Sequence, residues 1–236
     1  MILKCFKRKL HNVCHPVVGE IWMLHRVVKQ RSDLPEQREL EVTLDWLEHK
    51  IEKYKQQGYT FISIDSIFNS HFSIPNSRPW VCLTLDDGYH DNYTYAYPLL
   101  KRMGIPFTLY ITTGFIDNKL PIWWYPNEKL GILGSELQAM DVDPLCTIGA
   151  HTVSHPKLDS LTYEQQQQEI ADCIHDLKKM LNHPIHHFSL PHGAYSADTL
   201  KICKELGIRS IVTSWGGSIR RGKTYNPYPR VNIVQS

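Results

Sequence analysis

The sequence predicts an α/β protein with parallel strands, and three observations support that fold class. Apolar, β-prone segments alternate with amphipathic segments along most of the chain, an order typical of parallel strands joined by crossover helices. A length of 236 residues is enough for one substantial core, and it fits a single larger domain better than two small ones. Unusual polar residues also follow several apolar segments directly, where functional groups collect in α/β folds.

The individual elements follow from hydrophobic periodicity and from capping residues. After Thr43, apolar residues recur at helical spacing as far as Gly58, and threonine and glycine suit the two ends of a helix. Further helices are predicted at 92–102, 162–182 and 197–206. Strands are predicted at 17–25, 59–64, 79–85, 105–112, 145–150, 186–190 and 208–214.

The charge balance and the apolar segments argue against several classes of protein. The chain has 26 Lys and Arg against 24 Asp and Glu, a formal net charge of +2, so neither nucleic acid nor an anionic membrane is implied as a partner. The basic start, 1–16, lacks the apolar core of a secretory signal, and no stretch approaches the roughly 20 apolar residues of a membrane span. We therefore expect one cytoplasmic domain over 1–236, with a flexible basic start that allows peripheral membrane contact.

The six cysteines predict reduced thiols with a structural role. They are scattered without a C-x-x-C pair, and those in apolar segments behave as small hydrophobic residues. Cysteine and histidine also cluster near the start of the chain, at Cys5, His11, Cys14 and His15. Their spacing matches no common structural zinc site, so we predict none there.

Two motifs that follow predicted strands contain the residues best suited to metal chemistry. Asp86 and Asp87 follow the strand 79–85 and precede a glycine, a pattern that is also common in ordinary turns. His151 and His155 follow a later strand, and their separation lets two imidazoles converge on one ion. Two histidines and one carboxylate leave coordination positions open for water and substrate, as metal-assisted hydrolysis requires. The second carboxylate would then be free to act as a base.

Together the two motifs resemble the polysaccharide deacetylases, the NodB-homology group of carbohydrate esterases. "TLDDG" is similar to their Thr-Phe-Asp-Asp-Gly signature, and "HTVSH" matches their His-Ser/Thr-x-x-His signature in the same order. The resemblance implies a distorted (β/α) barrel of about seven parallel strands in a single domain. It also implies a divalent metal ion, zinc first with cobalt or nickel as alternatives, held by Asp87, His151 and His155. Asp86 would be the base that takes a proton from the metal-bound water.

The third motif departs from the family's pattern. "FSLPHGAYS" resembles the Arg-x-Pro-x-Gly motif at Pro191 and Gly193, but Ser189 stands where the arginine belongs. In the family that arginine pairs with the catalytic base, and the residue between Pro and Gly, here His192, offers its backbone N–H to the oxyanion. Arg230 is the candidate replacement, because a carboxylate base gains from a fixed cationic partner. A structural surface arginine is the alternative.

The expected general acid is also missing from its usual place, since the last segment, "TSWGGSIRRGKTYNPYPRVNIVQS", contains no histidine. "WMLHRV" near the start resembles the Tyr/Leu-His-x-Val strand of the circularly permuted members of the family. The resemblance implies a permuted member in which His25 is the acid. A structural histidine at a strand end is the alternative.

These features predict metal-dependent hydrolysis of an N-acetyl group from an amino-sugar-containing saccharide, with release of acetate. Two alternatives stay open, because the motifs encode only the chemistry at the carbonyl. One is a degenerate member that binds carbohydrate without turnover, and the other is an amidohydrolase for another N-acyl substrate. Trp123, Trp124 and Tyr125 cluster in the irregular stretch 113–144, where their rings would either stack on sugars or pack in the core.

Overall fold

The structure is a computed structural model that describes residues 16–68 and 78–235. Within these ranges the strands are β1 Val17–Leu24, β2 Arg26–Val28, β3 Glu41–Thr43, β4 Thr60–Phe61, β5 Trp80–Leu85, β6 Phe107–Ile111, β7 Cys146–Ala150, β8 His187–Ser189, β9 Ser210–Gly216, β10 Ile219–Arg220 and β11 Tyr228–Asn232. The α-helices are α1 Pro35–Arg38, α2 Leu44–Gln56, α3 Ile64–Phe68, α4 Tyr97–Met103, α5 Gly134–Asp141, α6 Tyr163–Leu181 and α7 Ala197–Glu205. The cluster of Cys5, His11, Cys14 and His15 lies outside the described residues.

Seven parallel strands close into a barrel, which confirms the predicted (β/α) barrel. The order around the ring is β1-β11-β9-β8-β7-β6-β5, and β5 pairs with β1 to close it. In β1, Trp22 lies opposite Val231 of β11 on one side and Leu83 of β5 on the other. The short strand β4 extends the sheet beside β5, and β10 pairs antiparallel with β1. The first and last barrel strands along the chain are therefore neighbours in the wall.

Amphipathic helices cover the outside of the barrel. In α2, Leu47 and Ile51 are buried at helical spacing, and the Thr43 side chain caps the helix by accepting a hydrogen bond from the Trp46 amide. The first turn of α6 has a reciprocal cap between Thr162 and Gln165. A cap of this kind stabilises a helix by about 1 kcal/mol. Local capping and apolar periodicity thus place the crossover helices as the sequence predicts.

The buried cysteines agree with the expected structural thiols. Among the described residues Cys82, Cys146, Cys173 and Cys203 are free and buried. Burial raises the pKa of each of these thiols, so they stay protonated near neutral pH. Over the described ranges, no helix combines the length and apolar character needed to span a bilayer.

Some elements differ from the sequence prediction. The predicted strand 59–64 shortens to β4, because the chain turns into α3 after Phe61. The irregular stretch 113–144 contains α5, and a π-helical turn at Asn92–Ala96 leads into α4. No strand was predicted at β11, where Pro229 and Arg230 interrupt the apolar pattern of a typical barrel strand.

Candidate active site

Asp86 follows β5 at the carboxyl end of the barrel, and its carboxylate is held by groups from two other strands. Arg230 of β11 binds it with two N–H groups, Nη1 to Oδ1 at 2.7 Å and Nη2 to Oδ2 at 2.6 Å. The Ser189 hydroxyl, at the end of β8, donates to Oδ2 at 3.2 Å. A bidentate guanidinium fixes both the charge and the orientation of a carboxylate.

Arg230 is a core residue with a complete set of partners, so the structure excludes a surface arginine. Its side chain is 0% exposed. Nε donates to the Thr213 carbonyl at 2.8 Å, Nη1 to the Thr84 hydroxyl at 3.0 Å and Nη2 to the Ser189 hydroxyl at 2.9 Å. The serine in the position of the motif arginine therefore contacts the guanidinium that comes from β11.

The Arg230 contact also determines the charge state of Asp86. Burial by itself would raise the pKa of this carboxyl group, but the Arg230 guanidinium, followed by the His151 imidazole, holds the pKa below its usual value. Asp86 is consequently an ionised carboxylate at neutral pH, inside a protein core.

The second aspartate, Asp87, lies beside two imidazoles instead of a guanidinium. Its Oδ1 atom is 3.4 Å from Nε2 of His151 and 3.4 Å from Nε2 of His155. One potential ligand atom from each of the three residues lies within 4.8 Å of the others. Asp87 Oδ1 is buried and accepts no hydrogen bond from the described residues. Burying such a carboxylate oxygen destabilises the fold unless a cation or a hydrogen-bond donor contacts it. The three residues therefore fit a metal ion.

The tautomer of His151 supports the same interpretation. Its Nδ1 lies 2.8 Å from the Ser189 carbonyl, and because a carbonyl only accepts, Nδ1 carries a proton. Nε2 is thereby directed at Asp87, which is the orientation that metal-binding histidines usually receive from an outer partner. Burial lowers the pKa of His155 to about 3, so this imidazole is neutral near pH 7. Neutral imidazole is the form that binds a metal ion.

The backbone around the cluster adopts unusual conformations that direct these side chains. Asp87, Thr152 and His155 all have positive φ, at 74°, 68° and 62°, a region that non-glycine residues rarely occupy. Gly88 also has positive φ, and a Cβ there would lie 2.9 Å from the Ile111 side chain. The glycine after the aspartate pair thus lets the chain turn away from the cluster.

Asp86, Asp87, His151 and His155 line one cleft of about 310 Å³, together with His25, His192, Trp123 and Trp124. His25 follows β1 and is half-buried at the cleft, and its carbonyl accepts a hydrogen bond from the Asn92 side chain. Pro191 and Gly193 form a tight turn in which His192 has φ 57°, and the His192 ring centroid lies 4.5 Å from that of His155. The structure therefore brings all the predicted site residues to one end of the barrel.

The aromatic cluster divides between the two roles that the sequence allows. Tyr125 is 1% exposed and packs against Tyr89, whereas Trp123 is 61% exposed at the cleft. Trp124 lies between them, with its ring 4.9 Å from His155 and its indole N–H donated to the Tyr89 hydroxyl at 2.8 Å. Core packing thus explains Tyr125, and the exposed Trp123 ring is open to a ligand.

Two site residues, Thr84 and Thr213, did not stand out in the sequence. Thr84 donates to the Trp22 carbonyl at 2.6 Å and accepts from Arg230, so it links β1, β5 and β11. The sequence did contain a sign that Thr84 belongs to the site. Thr84 precedes Asp86 by two positions, and residues two apart on a strand point to the same face. Thr213 acts through its backbone carbonyl, for which side-chain identity gives no signal.

Comparison with known proteins gives consistent matches. Residues 73–211 match the family described as polysaccharide deacetylase. YxkH of Bacillus subtilis (strain 168) is 27% identical over 224 residues, 92% of this chain and 72% of that protein. From the same strain, the peptidoglycan-N-acetylmuramic acid deacetylase PdaA is 25% identical over 152 residues, 61% of this chain and 52% of that protein. The solved structure of Streptococcus pyogenes deacetylase PplD in complex with acetate is 26% identical, covers 93% of each chain and has a TM-score of 0.76.

Proposed function

Because the chain belongs to the polysaccharide deacetylase family, we propose that it hydrolyses an N-acetyl group from an amino-sugar-containing saccharide and releases acetate. The observation that carries the proposal is the contrast within one cleft between the fully paired carboxylate of Asp86 and Asp87, whose buried Oδ1 atom accepts no hydrogen bond from the described residues. PdaA is named for an N-acetylated amino sugar, and the PplD structure contains acetate. Both names support the substrate class and the product.

Asp87, His151 and His155 would hold a divalent metal ion. Two imidazoles and a carboxylate suit zinc best, with cobalt and nickel as alternatives, and they leave coordination positions for water and substrate. When bound, the ion would polarise the acetyl carbonyl and lower the pKa of a water molecule. The outer contact between His151 and the Ser189 carbonyl keeps the imidazole oriented for this role.

The remaining residues would move protons and stabilise charge. Asp86 is ionised and fixed by Arg230, so it can accept a proton from the attacking water. His25 follows β1, the strand beside β5, and lines the same cleft; it would protonate the leaving amine. The backbone N–H of His192 would help to stabilise the oxyanion. His25 and Arg230 lie outside the residues 73–211 that match the family, so their roles rest on the geometry of this chain.

The buried arginine that lies 2.6 Å from Asp86 speaks against a degenerate, non-catalytic member, because it supplies the cationic partner that Ser189 cannot. The absence of the family's C-terminal motifs still allows that alternative. Hydrolysis of another N-acyl substrate uses the same site and stays open. The cytoplasmic location, the single domain over 1–236 and the circular permutation stay predictions.

The direct test is an acetate assay on metal-free protein with and without added zinc, cobalt or nickel. Substrates would be N-acetylglucosamine oligomers and lipid-linked or nucleotide-linked N-acetyl sugars, and N-formyl analogues assayed for formate would test the other N-acyl class. We expect acetate release that depends on the metal ion and stops on chelation. Metal binding in calorimetry without turnover of any amide would instead support the non-catalytic alternative.

A second test concerns His25. We expect His25→Gln to leave zinc affinity unchanged and to lower kcat by about 10²–10⁴-fold, as the loss of a general acid does. His49→Gln is the matched control, since His49 is exposed on α2. A His25→Gln variant that keeps the rate of the parent protein would remove His25 from the mechanism.

A further inference from the structure

The loop between the two proposed histidine ligands is strained. Thr152 and His155 both have positive φ, and a non-glycine residue in such a conformation costs about 1–3 kcal/mol. Thr152 is also β-branched, which makes this conformation a clear outlier. Such a loop keeps its shape only when surrounding groups hold it in place.

One side of the loop is held by the backbone of a neighbouring segment. The amide of Thr113 donates to the Thr152 carbonyl at 3.1 Å, and the amide of Gly114 donates to the Val153 carbonyl at 2.9 Å. These bonds engage carbonyl groups only. The amides of Val153 and Ser154, which directly precede His155, need acceptors from elsewhere.

Glu169 supplies those acceptors from α6. Its Oε2 atom accepts from the Val153 amide and from the Ser154 amide, both at 2.9 Å, and its Oε1 atom accepts from the Ser154 hydroxyl at 2.6 Å. One carboxylate thus binds three donors in two consecutive residues. Charge-assisted hydrogen bonds to a carboxylate are roughly twice as strong as neutral ones.

The helix gives Glu169 a fixed position. Ile170 and Cys173, on the inward face of α6, are 0% exposed, and the Cys173 thiol lies 3.5 Å from the Ile111 carbonyl of β6. The polar composition of "EQQQQE" at 164–169 predicts a solvent-facing helical face, yet its last residue is half-buried against the loop.

We infer that Glu169 is a positioning residue for the metal site. Its carboxylate holds the amides of Val153 and Ser154 and thereby fixes the position of the His155 imidazole relative to Asp87. The inference rests on the metal site of the proposed function, and Glu169 itself touches neither metal nor substrate. Outer partners of metal ligands change metal affinity by about 10–100-fold when removed.

Zinc titration of metal-free protein by calorimetry tests the inference. Glu169→Ala should weaken zinc binding by about 10–100-fold. Glu169→Gln keeps a carbonyl oxygen for both amides and directs its NH₂ group at the Ser154 hydroxyl, so it should lose only about fivefold. Glu164→Gln is the matched control, because Glu164 is exposed on the same helix, and its affinity should equal that of the parent protein.

Amide hydrogen exchange on metal-free protein gives a readout that does not depend on zinc. Glu169→Ala should exchange faster than the parent protein in the peptide covering 151–155 and equally in α2. Parent-like zinc affinity together with unchanged exchange would overturn the inference. If the parent protein binds no zinc, the metal proposal fails, and faster exchange in the variant still shows that Glu169 holds the loop. If Glu169→Ala does not fold, Glu169→Gln decides, and an affinity equal to that of Glu164→Gln overturns the inference.

Discussion

Asp86 and Asp87 are adjacent and each is 2% exposed, but the protein treats the two carboxylates in opposite ways. Asp86 receives two N–H groups from Arg230 and one O–H group from Ser189. Asp87 Oδ1 receives none from the described residues and faces two imidazoles at 3.4 Å. A buried carboxylate needs a compensating partner. The fold thus pairs Asp86 with a cation of its own, whereas Asp87 has an unpaired Oδ1 atom, as the proposed metal site requires.

The largest effects are expected from substitution of Asp86 and of Asp87, and the two substitutions should affect different properties. We expect Asp87→Asn to abolish zinc binding and acetate release together, because Asp87 is the one carboxylate among the three proposed ligands. Asp86→Asn should keep zinc affinity and lower kcat by about 10²–10⁴-fold, since only the base is lost. Calorimetry and the acetate assay on both variants provide the measurement, and each variant is the control for the other. Loss of zinc binding in Asp86→Asn together with retained binding in Asp87→Asn would instead make Asp86 the metal ligand and Asp87 the base.

A smaller but still severe effect should follow removal of the cation beside Asp86. Arg230→Met leaves a buried carboxylate unpaired, and we expect a loss of about 3–5 kcal/mol in the free energy of unfolding, measured with denaturant. Without the guanidinium, burial dominates and raises the pKa of Asp86. The base must be ionised, so the acid limb of kcat/KM should move to higher pH.

The chain provides a matched control for this prediction. Arg102 forms an ion pair with Glu48 at 2.8 Å, with its side chain 60% exposed, and Arg102→Met should cost less than about 1 kcal/mol. Ser189→Ala removes a donor to Asp86 and an acceptor for one N–H of Arg230, and it should cost about 1–3 kcal/mol. An Arg230→Met variant as stable as Arg102→Met, with an unchanged acid limb, would contradict the role of Arg230.

The smallest effect is expected at a third carboxylate near the opposite end of the barrel. Asp65 lies 3.0 Å from Nε2 of His187 but is 57% exposed, so Asp65→Asn should cost less than about 1 kcal/mol near neutral pH. The hydrogen bond from His187 lowers the pKa of Asp65. A lowered pKa stabilises the fold above the unfolded-state value of about 3.9, and this contribution is lost as pH falls through the folded-state pKa.

The comparison of Asp65→Asn with the parent protein therefore needs two pH values. Thermal melts should differ slightly at pH 7, and the difference should shrink as pH falls through the folded-state pKa of Asp65. Asp176→Asn, on the exposed face of α6, is the control for loss of a surface carboxylate. A difference that grows toward low pH would mean that the sign of the Asp65 contribution is wrong.

Sequence patterns predicted parallel strands joined by crossover helices, and the resemblance to the family implied that these strands close into a barrel. Asp86, Asp87, His151 and His155 follow strands directly, and parallel strands end on one face of a barrel. The position of Arg230 was beyond local patterns, because β11 lacks a clear strand signal and its partner lies 144 residues away. The contact of Glu169 with the amides of Val153 and Ser154 could not be predicted from the sequence either. A glutamate beside a run of glutamines in a helix gives no indication of which loop packs against it.

The closure of the barrel by β1 between β11 and β5 has a consequence for synthesis on the ribosome. Asp86 leaves the exit tunnel long before Arg230, and its pairing must wait until β11 has been translated. A nascent chain with β5 through β9 can collapse, but it would have to bury an unpaired carboxylate to complete its core. Closure of the ring by contacts between distant segments should therefore be a late and slow event. Stalled chains that end before residue 230 should stay sensitive to protease at the end of β5.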